Sequence, residues 1–203
     1  MGKKTLSREG LLFVISGPSG CGKTTLGREL LQSSPELVRS VSVTTRPRRQ
    51  GEKEGREYFF VSRAQFIRLR KQNKFLEWAR VFSHFYGTPR DFVLKTIAGG
   101  KDVLLIIDVQ GAMQIKQKFP QAIFIFINTP SPELLGERLR KRGLDLTVDI
   151  ERRIRQAKKE LAYRKEYDYE IINDRIETAR ERLKAILIAE GCRIRHVNRR
   201  RQR

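Results

Sequence analysis

The chain has 203 residues, 39% of them hydrophobic and 33% charged, a balance that fits one compact unit with a real core and excludes collagen-like, low-complexity and largely disordered chains. Lys and Arg number 43 against 23 Asp and Glu, a formal net charge of +20, which points to anionic partners: nucleotides, nucleic acid or acidic lipid. Two cysteines and two histidines exclude a disulfide framework and are too few for a zinc site, and a reducing cytoplasm is the expected setting.

From the N-terminus, Lys3 and Lys4 before the apolar run 11–15 faintly imitate a signal peptide, but the run is short and ends in a glycine-rich loop. Leu6 stands where a myristoylation motif wants Ser or Thr, and no apolar run approaches membrane-spanning length. Residues 11–16 are instead read as a first strand, buried on both faces because the run does not alternate. A helix over 23–32 follows. The stretch 40–97 then breaks the rhythm: Val41 to Thr44 alternates, Pro47 and Gly51 to Gly55 supply turns, and 58–61 suggests another strand, so a small mixed insertion is expected. Further buried strands are expected over 103–109, 122–128 and 169–173. Helices are expected over 131–142, with Ser131 as cap, Pro132 in the first turn and Gly143 as stop, and over 149–164 and 177–190. Strands alternating with helices predict an α/β fold with a parallel sheet flanked on both sides. There is no internal repeat, and six arginines from Arg193 onward with no acid among them have the composition of a frayed tail.

Residues 17–24, Gly-Pro-Ser-Gly-Cys-Gly-Lys-Thr, match the phosphate-binding loop G-x-x-x-x-G-K-T and sit where its mechanism requires, after a buried strand and before a helix. The glycines let backbone N–H groups turn onto phosphate oxygens, and the helix N-terminus adds a positive field. This assigns Gly17, Pro18, Ser19, Gly20, Cys21 and Gly22 to the triphosphate, Lys23 to its β- and γ-phosphates, the Thr24 hydroxyl to magnesium and Thr25 to a second phosphate contact. The Cys21 thiol lies where amide dipoles can lower a pKa, which raises redox sensitivity against the blander reading of a tolerated loop position.

The loop does not say what receives the phosphoryl group. In the insertion, Arg46, Arg48 and Arg49 fall within four positions, a pattern suited to bidentate gripping of a phosphate dianion. The blocks Gly51-Glu52…Gly55…Tyr58…Phe60, Phe75-Leu76-Glu77 and Phe85-Tyr86-Gly87-Thr88 follow, then Asp108-Val109-Gln110-Gly111, Arg138-Leu139…Arg142-Gly143 and Asn173-Asp174. With the loop, this ordered set resembles the guanylate kinase family over roughly residues 11–190.

The resemblance implies a P-loop core over about 1–39 and 98–190, a GMP-binding insertion over about 40–97, a short lid over about 143–152 and a basic tail over about 192–203, in a single unit. It implies transfer of the γ-phosphoryl of ATP to GMP, with Mg2+ accompanying ATP. Arg46 and Arg49, with the phenols of Tyr58 and Tyr86, would hold the GMP phosphate; Ser42, Glu77 and Thr88 would hold the base. Guanine offers donors at N1 and at its 2-amino group that one carboxylate accepts together, whereas adenine offers an acceptor at N1 and would leave the carboxylate unpaired. Without the resemblance, Glu77 is read as a solvated acid at the end of a helix. Asp108 is expected to end its strand at the sheet's carboxyl edge, where an acid orients magnesium or substrate water. The family commonly carries a second acid two residues earlier, where this chain has Ile106, and the order Thr-Arg-Pro-Arg-Arg leaves Arg48 and Arg49 as alternatives for the second clamp, with spacing favouring Arg49.

An acceptor that is already an anionic phosphate oxygen needs no general base, so positioning and charge neutralisation carry the transfer. By resemblance the cations are Lys23 with Arg138, Arg142 and Arg153, the last two flanking the lid, and Asn173 lies on the adenine side. Two other classes of reading stand beside the enzyme. One is a guanylate-kinase-like module that binds protein ligands without activity, which the intact Lys23, Thr24 and clamp residues argue against. The other is nucleic-acid binding through the basic surface and tail, expected at most as a secondary property. The chain is expected to be a monomer or small homo-oligomer without membrane association.

Overall fold

The computed structural model describes residues 9–141 and 147–194, without the side chains of Leu139, Lys141, residues 147–150, Arg152 and Arg153. Gly143, the expected helix stop, Arg142 and the arginines from Arg195 on therefore lie outside the described residues.

Two sheets organise the chain. The larger has five strands in the order β2-β7-β1-β8-β9, namely β1 (Leu12–Ser16), β2 (Leu37–Arg39), β7 (Asp102–Ile106), β8 (Ile123–Asn128) and β9 (Tyr169–Ile172), all paired in parallel. Leu11, Phe13 and Ile15 face α1 (Lys23–Gln32), α5 (Pro132–Lys141), α6 (Thr147–Leu161) and α7 (Ile176–Cys192), in one apolar cluster with Leu26, Leu135, Ala157 and Leu183. The alternate residues Leu12 and Val14 join Val93, Ala112 and Ile115, from α3 (Arg90–Ala98) and α4 (Val109–Lys118), on the opposite face. Period-two alternation thus feeds two cores from one strand, and an unbroken apolar run results.

The smaller sheet has the order β4-β3-β6-β5, built from β3 (Val43–Thr44), β4 (Phe59–Phe60), β5 (Phe75–Val81) and β6 (His84–Pro89). Here β3 pairs parallel to β4 and antiparallel to β6, which pairs antiparallel to β5. Its own core is Val43, Phe66 and Phe75, with Phe66 contributed by α2 (Arg63–Lys71) and stacked on Phe75 and Phe85. A capping box at Ser62 and Gln65 starts α2.

Several boundaries differ from the sequence expectation. The run 103–109 is not one strand: β7 ends at Ile106, and Asp108 is the N-cap of α4, its carboxylate accepting from the N–H groups of Gln110 (2.8 Å) and Gly111 (3.2 Å). An aspartate two residues past a strand takes up the orphan amides of a helix start, so the apolar run spans two elements. The helix expected over 149–164 begins at Thr147 and tightens into a 3-10 turn, Ala162–Glu166. Ser131 does cap α5, its hydroxyl accepting from the Leu134 N–H. No helix among the described residues is long and apolar enough to cross a membrane.

Candidate active site

The loop between β1 and α1 wraps its own lysine. Lys23 Nζ donates to the carbonyls of Gly17 (2.6 Å) and Pro18 (2.9 Å), which places the ammonium across the loop mouth. No side chain caps α1, whose N-cap is Gly22, and no acid lies in its first turn. The first amides of that helix are therefore left to an external anion. Gly22 has φ 95°, and a Cβ there would lie 2.4 Å from Asn173 Nδ2. That side chain is buried and donates to the Cys21 carbonyl at 2.8 Å, while Arg138 Nη2 donates to the Asn173 carbonyl at 3.0 Å. Asn173 and Arg138 thus brace the loop from below. Cys21 is fully buried and its thiol is pushed up by burial, against the lowering field of Lys23. The redox reading loses its basis, because amide dipoles do not offset the missing solvent.

Opposite the loop, Glu77 lies in β5 rather than at a helix end, and is only 2% exposed. The Thr88 hydroxyl, from β6, donates to its Oε1 at 2.5 Å. Its other oxygen rests on α4, where a Cβ on Gly111 would lie 2.5 Å from Oε2, so only glycine admits the carboxylate. Burial pushes the Glu77 pKa up to about 8; the Thr88 bond and Lys118 oppose the shift and the charge of Asp108 adds to it. Burial likewise raises Asp108 above the usual carboxylate range, although the amides of Gly111 and Gln110 and the charge of Lys23 pull the other way.

These parts converge on one cavity of about 210 Å³, lined by the loop at Gly17, Ser19, Gly20, Gly22, Lys23 and Thr24, and by Ser42, Tyr58, Glu77, Tyr86 and Asp108. At its rim Tyr58 and Tyr86 meet edge to face, ring centroids 5.7 Å apart, and the Arg46 guanidinium lies 5.5 Å from the Tyr58 ring centre. Arg46 is held by Glu52 at 2.6 Å and by the Pro47 carbonyl at 2.7 Å. Arg48 and Arg49 are both exposed, and neither lines the cavity; Thr25 is exposed as well. Pro18, Cys21 and Thr88 are buried behind the surface that their neighbours present. Arg142 lies outside the described residues, as does the Arg153 side chain.

Beyond the largely apolar lining of Val81, Phe82, Ile106 and Ile107, one ionisable cavity residue was not foreseen. Glu160, on α6, accepts from the Ser19 N–H at 3.2 Å and is steadied by Gln156 Nε2 at 3.2 Å. A carboxylate there sits on a loop amide as a phosphate oxygen does. The pairing spans 141 positions, and no local pattern marks it.

Comparison with known proteins places the chain in a family. A model of the guanylate kinase family matches residues 9–190. The chain belongs to the guanylate kinase family. It is 50% identical to the guanylate kinase of Syntrophomonas wolfei, covering 95% of this chain and 99% of the relative. With that of Caldanaerobacter subterraneus subsp. tengcongensis it shares 47% identity, over 94% and 92% of the two chains. The crystal structure of guanylate kinase from Anaplasma phagocytophilum superposes with a TM-score of 0.81 at 37% identity, covering 96% of this chain and 93% of that one. As a member of the family the chain is a nucleoside monophosphate kinase, an ATP:GMP phosphotransferase.

Proposed function

We propose that the cavity between the two sheets is where ATP meets GMP, the loop 17–24 holding the triphosphate and the insertion holding the monophosphate. The observation that carries this reading is that the phosphate loop and the buried pair Glu77–Thr88 line or back the same cavity from opposite sides. In this assignment the uncapped start of α1 and Lys23 take the β- and γ-phosphates, which requires Lys23 to leave the Gly17 and Pro18 carbonyls. Arg46, Tyr58 and Tyr86 take the GMP phosphate, and Arg49 reaches it from the exposed turn. Ser42 and Glu77 read the base, with Thr88 fixing the carboxylate from behind. Asn173 and Arg138 act through the loop they brace, and Arg142 and Arg153 complete the charge neutralisation.

Magnesium fits this donor set. Thr24 would supply a hydroxyl and Asp108 a carboxylate, both hard oxygen ligands, and the bonds Asp108 accepts from Gln110 and Gly111 fall on Oδ1. Bound there, magnesium would neutralise charge on the triphosphate. The protein's own contribution is alignment and a site closed to water, since the GMP phosphate is already an anionic nucleophile. We place the protein in the cytoplasm.

The test is a coupled ADP-release assay of the purified chain with ATP and magnesium against GMP, AMP, UMP and CMP. Turnover with GMP at least about a hundredfold above AMP is expected. Equal rates with AMP, or ADP release independent of any monophosphate, would overturn the reading.

A further inference from the structure

Glu77 is fixed by two neighbours of different kinds. On one side lies β6, but the β5–β6 register shifts between Phe75 and Trp78, across Leu76 and Glu77 themselves. The ladder is irregular where the carboxylate must be placed most accurately. On the other side β5 is the last strand of its sheet among the described residues, so alternate N–H and C=O groups point away from β6 with no described strand to receive them.

Helix α4 fills that edge with side chains. Gln114 Nε2 donates to the Trp78 carbonyl at 2.7 Å and its Oε1 accepts from the Trp78 N–H at 3.3 Å, the donor–acceptor pair that a peptide of a neighbouring strand offers. Lys118 Nζ donates to the Leu76 carbonyl at 2.7 Å. Gly111, Gln114 and Lys118 share one helical stripe at i, i+3 and i+7, and it meets the Glu77 carboxylate, the Trp78 backbone and the Leu76 backbone in turn. The backbone on both sides of Glu77 is thereby tied to the helix whose N-cap, Asp108, lies in the same cavity.

We propose that Gln114 is a positioning residue for base recognition: its carboxamide stands in for a missing strand at the edge of β5 and sets the location of the Glu77 carboxylate. Lys118 is its auxiliary on the preceding residue. Asparagine is one methylene shorter, glutamate cannot donate, and methionine matches the length with neither group. Hydrogen bonds to guanine weaken steeply with distance and angle, so a small drift of Glu77 erodes selectivity before it erodes folding. The inference rests on the reading of Glu77 as the base-recognising acid.

The experiment is a double-mutant cycle on the full chain with Gln114→Met and Glu77→Gln, measuring kcat and KM for GMP and AMP and calorimetric ATP affinity. Gln114→Met is expected to raise the KM for GMP and lower the GMP-over-AMP ratio of kcat/KM by about tenfold, leaving kcat with GMP and ATP affinity within about twofold. In the Glu77→Gln background the same change should alter the ratio by less than about twofold. An unchanged ratio in the single variant, or an equal drop in both backgrounds, overturns the positioning role. If Gln114→Met does not fold, Lys118→Met is judged by the same two criteria with a smaller expected effect. Glu77→Gln that leaves the ratio intact sinks the reading of Glu77 itself, a different failure from an intact ratio in Gln114→Met alone.

Discussion

In the proposed assignment, the two ends of the cavity meet their ligands with different kinds of group. At the triphosphate end the partners are backbone amides of the loop and of α1, joined by Lys23, and amides have no protons to lose at neutral pH. At the base end recognition rests on one buried carboxylate whose pKa is pushed up to about 8. The contrast teaches that a phosphate can be held by a fold's own peptide groups, whereas choosing guanine over adenine needs a side chain that water would rather keep. On this assignment the first end is robust and unselective, and the second is selective and held at an energetic cost.

The largest expected effect breaks the robust end. Lys23→Ala should lower kcat by about a thousandfold or more while GMP affinity, measured by calorimetry, stays within about threefold. Comparable losses on both sides would mean that the two ends are not separate. Glu77→Gln comes next: it should reduce the GMP-over-AMP ratio of kcat/KM by about a hundredfold and leave ATP affinity unchanged, because an amide presents one donor where guanine needs two acceptors.

How far these two regions were legible in the sequence follows the same division. The loop 17–24 and the strands around it declare themselves, because a strand buried on both faces reads as a short unbroken apolar run and the loop's glycines stand at fixed spacing. The insertion hid its architecture. In β5 an acid occupies a buried position, and β6 contains Gly87 and ends at Pro89, so neither carries an ordinary strand pattern. Glu77 is singled out by the order of its motif among the others, while its burial, its bond to Thr88 and its seat on Gly111 are tertiary facts. Glu160 and Gln114 left no trace for the same reason, since their partners are 141 and 36 positions away.

The carboxylate's raised pKa sharpens the contrast through pH. Accepting two guanine donors requires the ionised form, so GMP must displace a proton whenever the pH is below about 8. GMP affinity should therefore tighten by about fivefold to tenfold between pH 7 and 8.5, and this dependence should vanish in Glu77→Gln. Titration calorimetry in buffers of different ionisation enthalpy reads the released proton directly.

The smallest expected effect is on stability. The folded pKa of Glu77 lies above the ordinary 4.5, so the native state holds a proton that the unfolded chain releases. That contribution is fully present below pH 4.5 and is lost as the pH rises through about 8. Glu77→Gln should consequently melt at nearly the same temperature as the parent at pH 4.5 and several degrees above it at pH 8. A melting difference independent of pH, seen by calorimetry or circular dichroism, would deny the buried acid its assigned environment.

Gly111 shows what the base pocket asks of its surroundings. Gly111 is the third residue of α4; a glycine within a helix weakens it by up to roughly 0.5–1 kcal/mol relative to alanine, yet a methyl group there would stand where Glu77 Oε2 already rests. Alanine would make a sturdier rod and a shallower receptor. The chain keeps the weaker rod, so the depth of the proposed guanine slot is carved by a missing side chain as much as by those that line it.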